Sequence, residues 1–183
     1  MIKANIENIV TLEVAKKEEL SKFKRDLQEA FAVAVVETFD TNLDELIPSD
    51  KDIEKSFNAP GAIIYHILSN GKRVGGAVVV IDEVTQYNSL DLLFISVSEH
   101  SSGIGYKAWK AIEDKHCETK VWETHTPYFE KRNIHFYVNK CGFQIVEYFN
   151  KHKPDPHKPH LEELPGGEDF FRFQKVMIKD LLV

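Results

Sequence analysis

The chain has 183 residues, 43% of them hydrophobic and 28% charged, enough for one substantial core that buries roughly 70% of the unfolded surface, so a single domain over residues 1–183 is expected. Its 29 acidic against 23 basic side chains leave a net charge of -6, which argues against a grip on a nucleic-acid backbone and favours a cationic partner. No apolar run approaches the ~20 residues that cross a bilayer. The start, MIKANIENIV, has neither a basic n-region nor a long apolar stretch, so no membrane association is expected and a cytoplasmic, soluble protein is.

An extended start from Asn5 to Val14 comes first. Leu20, Phe23, Leu27, Ala30, Phe31 and Ala34 then recur at spacings of three and four, one face of an amphipathic helix from about Lys17 to Phe39. A shorter helix is expected from Asp50 to Phe57, with Ser49 as its cap, Pro48 before it and Asn58-Ala59-Pro60 after it. The β-rich runs AIIYHIL and RVGGAVVVID flank Asn70-Gly71, a pair suited to the positive φ angles of a hairpin turn.

The run Ser89 to Ser98, SLDLLFISVS, is apolar on both alternating sets of positions, as in a central strand covered on both faces. It leads directly into His100-Ser101-Ser102-Gly103-Ile104-Gly105. From Gly103 a helix is expected, with Ile104, Ala108 and Ile112 on one face and Trp109 beside them. A strand around Lys120 to Thr126, a helix around Glu130 to Cys141, a strand Phe143 to Phe149 and a last strand Phe170 to Ile178 complete a mixed α/β domain. Between the last two strands, the 151–169 insertion carries KPDPHKP and Gly166-Gly167, a loop that regular structure cannot accommodate.

Cys117 and Cys141 are the only cysteines, too few for a disulfide framework, and are expected as reduced thiols with Cys141 packed in the core. His152, His157 and His160 with Glu162 and Glu163 fit no established metal spacing, so no metal is expected.

A strand that ends in a loop with Gly103 and Gly105 and turns at once into a helix is suited to an anion. The first-turn N–H groups point outward, the helix dipole favours negative charge, and glycine admits a bulky phosphate. Gly105-Tyr106-Lys107 lacks the Gly-Lys-Ser/Thr ending of a P-loop, and Ala108 stands where a dinucleotide fingerprint has its third glycine.

The segment LLFISVSEHSSGIGYKAWKAIE instead resembles the acetyl-CoA-binding motif of the GNAT superfamily, Gln/Arg-x-x-Gly-x-Gly/Ala after the fourth strand. NIHFYVNKCGF, Asn133 to Phe143, resembles a second family motif that ends in Tyr-Glu-Lys-Leu-Gly-Phe. With the element order, the likeness spans roughly residues 17 to 149. It implies a mixed, mostly antiparallel sheet of about six to seven strands flanked by helices, splayed between the fourth and fifth strands to admit the pantetheine arm of acetyl-CoA. By the same likeness, backbone groups of Phe94, Ile95, Ser96 and Val97 pair with the pantetheine amides. Backbone N–H groups of Ser101, Ser102, Gly103, Ile104, Gly105 and Tyr106 take the pyrophosphate, and Asn133 lies near the cofactor.

Two positions depart from the pattern. His100 stands in place of Gln or Arg, and mostly neutral imidazole brings no fixed charge. Counted back from Gly142-Phe143, the tyrosine that protonates the leaving thiolate in this superfamily is replaced by Val138, with Tyr137 one residue earlier. One residue turns a helix by 100°, so Tyr137 takes that role only in a helix that is rotated or starts with an irregular turn. Asp91, Glu123 and His125 are the candidate bases for the attacking amine. The activity implied is direct transfer of an acetyl group from acetyl-CoA to a primary amine, on a small molecule or peptide, in a ternary complex without a cysteine acyl-enzyme. Two alternatives stay open: a non-catalytic acyl-CoA sensor, favoured by Val138, and an interaction module whose N-terminal helix pairs with a second copy in a homodimer.

Overall fold

Apolar spacing converts into elements much as expected. The computed structural model describes residues 8–39, 47–99, 103–156 and 169–177. In chain order these hold β1 (Val10–Val14), a 3₁₀ turn (Lys17–Glu19), α1 (Leu20–Phe39), α2 (Asp50–Phe57), β2 (Ala62–Ser69), β3 (Lys72–Val80) and β4 (Tyr87–Ile95). There follow α3 (Ile104–Lys115), β5 (Val121–Pro127), α4 (Lys131–His135), a π turn (Phe136–Lys140), β6 (Gln144–Phe149) and β7 (Phe170–Val176). Ser49 caps α2 by accepting the Asp52 N–H at 3.2 Å, and Asn70 and Gly71 take φ of 49° and 80° in the β2–β3 turn. Two segments differ from expectation. β4 stops at Ile95 because Val97–Glu99 coil into a 3₁₀ turn, and the single helix expected over Glu130 to Cys141 is α4 followed by the π turn.

The seven strands form one sheet in the order β1-β2-β3-β4-β5-β7-β6. All neighbours are antiparallel except β4 and β5, which are parallel and joined through α3. Each face carries a core. Under α3 and α4 lie Trp109, Ile112, Leu90, Trp122, Tyr137 and Phe173. Under α1 and α2 lie Phe23, Leu27, Ile53, Val78 and Phe94. The second core presses on the backbone of β3: a Cβ on Gly76 would stand 2.2 Å from the Phe23 ring and 2.7 Å from that of Phe94.

A buried charge cluster ties α3 to the end of the π turn. Glu113, 3% exposed, accepts from Lys110 at 2.6 Å and from Lys175. Lys175 also donates to the Cys141 carbonyl at 2.7 Å. Two ammonium partners offset the desolvation of this carboxylate.

Candidate functional site

β4 and β5 pair over three positions, Tyr87↔Val121, Asn88↔Trp122 and Ser89↔Glu123, and then separate. A β-bulge coincides with the separation. Val79 pairs with Leu90 and Val78 with Leu92, leaving Asp91 as the extra residue, and such an insertion bends a strand and increases its twist. Just past the last backbone pair, Thr124 Oγ1 donates to the Leu90 carbonyl at 2.8 Å. Beyond that stitch a cavity of about 1150 Å³ opens, lined by Ala30 and Phe31 of α1 on one face and by the first turn of α3 and the residues of α4 on the other. Elements from both faces of the sheet thus share one space.

Of the expected pantetheine-pairing residues, Phe94 and Ile95 line this cavity. The Ser96 N–H is turned to β3, donating to the Val74 carbonyl at 2.8 Å. Val97 belongs to the 3₁₀ turn and is 43% exposed. His100, Ser101 and Ser102 lie outside the described residues. Gly103, Ile104, Gly105 and Tyr106 all line the cavity. Gly103 is the N-cap of α3 at φ 76°, and no side chain caps the helix. The first bond into the turn runs from the Lys107 N–H to the Gly103 carbonyl at 3.2 Å, so the N–H groups of Ile104, Gly105 and Tyr106 have no intrahelical acceptor. A positive φ costs an ordinary residue roughly 1–2 kcal/mol, yet a Cβ at Gly103 would meet nothing within 4 Å. The glycine therefore leaves room beside the helix end as well as making the bend.

The one-residue displacement of Tyr137 is resolved by backbone geometry. The Cys141 N–H reaches back five residues to the Phe136 carbonyl at 3.0 Å, a π turn that takes up one residue more than an α turn would. Tyr137 thereby faces the cavity although it stands one place too early by count. It is 6% exposed and its ring packs edge-on to Phe136 and Phe143. Burial, with smaller contributions from Cys141 and Glu130, holds its hydroxyl well above the ordinary tyrosine range. Asn133 also lines the cavity, whereas Val138 packs at the margin of the core.

Cys141 is 2% exposed, and burial above all pushes its thiol up to about 12, which suits packing rather than nucleophilic chemistry. Because the folded state binds these Cys141 and Tyr137 protons more tightly than the unfolded chain, their contribution is complete below the unfolded values, about 8.5 and 10. It is lost as pH rises toward the folded ones. Thermal melts in matched buffers should show a Tm that falls steadily above pH 9; a Tm level to pH 11 would contradict this burial.

The candidate bases lie on the other face. Leu90, Trp122 and Thr124 point toward α3 and α4, so strand alternation sends Ser89, Glu123 and His125 to the opposite side, with the bulged Asp91 beside Leu92 of the α1 core. Asp91 is exposed and accepts from Ser89 Oγ at 2.6 Å. Glu123 is held by Arg172 at 3.0 Å and Gln174 at 2.9 Å, and Arg172 also binds Glu147 at 2.8 Å. His125 sits 4.0 Å from Glu123 and 3.9 Å from Asp155.

Sequence reasoning missed two residues. Glu130, 7% exposed, lines the cavity as the N-cap of α4; its place just before a helix gave no hint of burial. Thr124 was hidden among the residues of β5. Among the described residues no group of His, Cys, Asp and Glu could hold a metal, while His157, His160, Glu162 and Glu163 lie outside them. No helix among the described residues is long and apolar enough to cross a membrane.

No protein-family model matches the chain. A Bacillus subtilis (strain 168) protein described as the uncharacterized protein YrkN is 55% identical over 183 aligned residues, covering 97% of this chain and 99% of that one. Among solved structures, an IAA acetyltransferase from Bacillus cereus ATCC 14579 superposes with a TM-score of 0.64 at 17% identity, over 92% of this chain and 100% of that one. A GNAT family acetyltransferase from Elizabethkingia anophelis with acetyl-CoA bound gives 0.63 at 16% identity, over 92% and 98%. The spermidine N-acetyltransferase from Vibrio cholerae, in complex with CoA and spermine, gives 0.63 at 11% identity, over 91% and 95%. With its parallel β4–β5 pair parting beside an uncapped α3, the chain belongs to the same family as YrkN and has the fold of the GNAT superfamily.

Proposed function

We propose that the protein is an N-acetyltransferase that moves an acetyl group from acetyl-CoA to a primary amine by direct attack in a ternary complex. The observation that carries this reading is the cavity that crosses the sheet where β4 and β5 part, with the open N-terminus of α3 in its wall. Backbone groups of Phe94 and Ile95 run along the pantetheine arm. The N–H groups from Ser101 to Tyr106 take the pyrophosphate, and Asn133 supplies a polar contact. The acceptor enters from the α1 face.

The two acid–base roles fall on opposite faces of the sheet. An ammonium has no lone pair, so Asp91 first removes a proton from the amine, with Ser89 steadying the carboxylate. The nitrogen then attacks the thioester carbonyl and, in becoming an amide, gives up a second proton to solvent, from which Tyr137 is later reprotonated. As the C–S bond breaks, its electron pair stays on sulfur, and Tyr137 gives that sulfur its proton. Glu123 is committed to Arg172 and Gln174, so it serves better to shape the acceptor face than as a free proton acceptor. The non-catalytic sensor reading drew on Val138; the π turn that brings Tyr137 to the cavity supports the catalytic reading instead. An amine acceptor is in keeping with the Vibrio cholerae neighbour bound to spermine and with the acidic balance of the chain.

The test pairs binding with turnover. Acetyl-CoA and a panel of amines should release free thiol with the parent protein. Gly103→Val should weaken acetyl-CoA binding in calorimetry at least 10-fold, because its side chain enters the space beside the helix end. Equal affinity for variant and parent would place the pyrophosphate elsewhere.

A further inference from the structure

We infer that Arg132 and Lys140 bind the 3′-phosphate of CoA, an inference that rests on the acetyl-CoA site proposed above and extends it to the nucleotide end of that molecule. Electrostatics sets the problem. Besides its pyrophosphate, CoA carries a phosphomonoester of about -1.5 to -2 charges at neutral pH, and a chain with a net charge of -6 repels such a ligand at long range. The N–H groups of Ile104, Gly105 and Tyr106 offer only the partial charge of a helix end, and His100 brings none that is fixed. Full cationic charge has to come from elsewhere.

The wall facing that helix end supplies it. A Cβ placed on Gly105 would stand 3.6 Å from the Phe136 ring, so the first turn of α3 rests on Phe136. Arg132 and Lys140 come four places before and four after Phe136, about a turn to either side of it on the same face. Both are exposed and both line the cavity, so two cations bracket the open end of α3. Lys107 and Lys131 of the same wall reach in other directions, the first to the Asn8 carbonyl at 3.0 Å and the second onto the Tyr128 ring at 3.1 Å. Of the two acids there, Glu99 lies 3.6 Å from Lys72 and Glu130 is buried. A guanidinium has five N–H donors and an ammonium three, enough to hold a phosphate alongside neighbours of their own. The work divides by exposure: backbone N–H groups suit the pyrophosphate at the helix end, and full charges suit a dianion at the exposed rim.

Calorimetry on the full chain compares CoA with 3′-dephospho-CoA, which keeps the pyrophosphate and the pantetheine arm. The parent should bind CoA about 10-fold more tightly or better, the scale of one charge-assisted contact. That gap should narrow as NaCl rises from about 0.05 M to about 0.5 M. Arg132→Gln combined with Lys140→Gln keeps most of each side-chain stem at an exposed position. It should cut CoA affinity about 10-fold while affinity for 3′-dephospho-CoA stays within about two-fold and Tm within about 2 °C of the parent. Arg132→Lys combined with Lys140→Arg keeps both charges and should hold CoA within about three-fold of the parent. Equal affinity of the parent for the two ligands, or an equal loss of both in the glutamine variant, would overturn the assignment. Binding of neither ligand by the parent would overturn the CoA site itself. A parent that prefers CoA in this way yet turns over no amine would remove acetyl transfer and leave the assignment standing.

Discussion

Tyr137→Phe should lower kcat for acetyl transfer about 100-fold or more, the scale of a lost general acid, while the calorimetric affinity for acetyl-CoA stays within about three-fold. Phenylalanine keeps the ring that packs against Phe136, Phe143 and Phe173, so the wall of the cavity survives. What disappears, in the proposed reaction, is the proton for the leaving sulfur. The raised hydroxyl gives a second signature. Tyr137 stays protonated well past the ordinary tyrosine range, so kcat should rise as the amine deprotonates and should then hold level at alkaline pH as far as the fold survives. A kcat insensitive to Tyr137→Phe would take the residue out of the reaction.

Gly76→Val should damage the fold severely. The Phe23 and Phe94 rings that a new side chain would meet are 1% and 6% exposed. They face each other edge to face at 5.3 Å, and Phe57 backs Phe23 at 5.7 Å. Phe23 is held between Phe94 and Phe57 with no room to retreat, so overpacking should cost about 3 kcal/mol, a fall in Tm on the order of 10 °C for a chain of this size. The rearrangement would reach β4 through Phe94, a residue of the cavity wall, so acetyl-CoA affinity should fall with it. Thermal melts and calorimetry on one preparation check both effects, and a Tm within about 2 °C of the parent would show that the α1 core is looser than its geometry implies.

Much of the fold could be read from local pattern because local physics decides it. Phe23 and Leu27 recur at helical spacing, Ser49 caps α2 with its own side chain, and Asn70-Gly71 turns a hairpin whose strands carry their own alternation. The start of α3 was equally legible, since Gly103 takes the positive φ of its N-cap. The remainder depended on contacts distant in sequence or on an irregular backbone. Arg172 reaches Glu123 from a strand 49 residues later, and no spacing announces that pair. Counting at 100° per residue admits Tyr137 to the cavity only through an irregular turn, and nothing in the sequence announces the bond from Cys141 to Phe136 that makes one. The burial of Glu130 depends on how α4 sits against the cavity, which its neighbours in sequence do not encode.

The parting of β4 and β5 has a mechanical meaning as well. The sheet is two ribbons, one of four strands and one of three, clipped together at one end by three residue pairs and the Thr124 hydroxyl. Ribbons clipped at one end flex about the clip, so compliance concentrates at the mouth, farthest from the clip. A ligand that bridges both ribbons there works as a second clip, so filling the cleft stiffens the whole molecule rather than one loop of it.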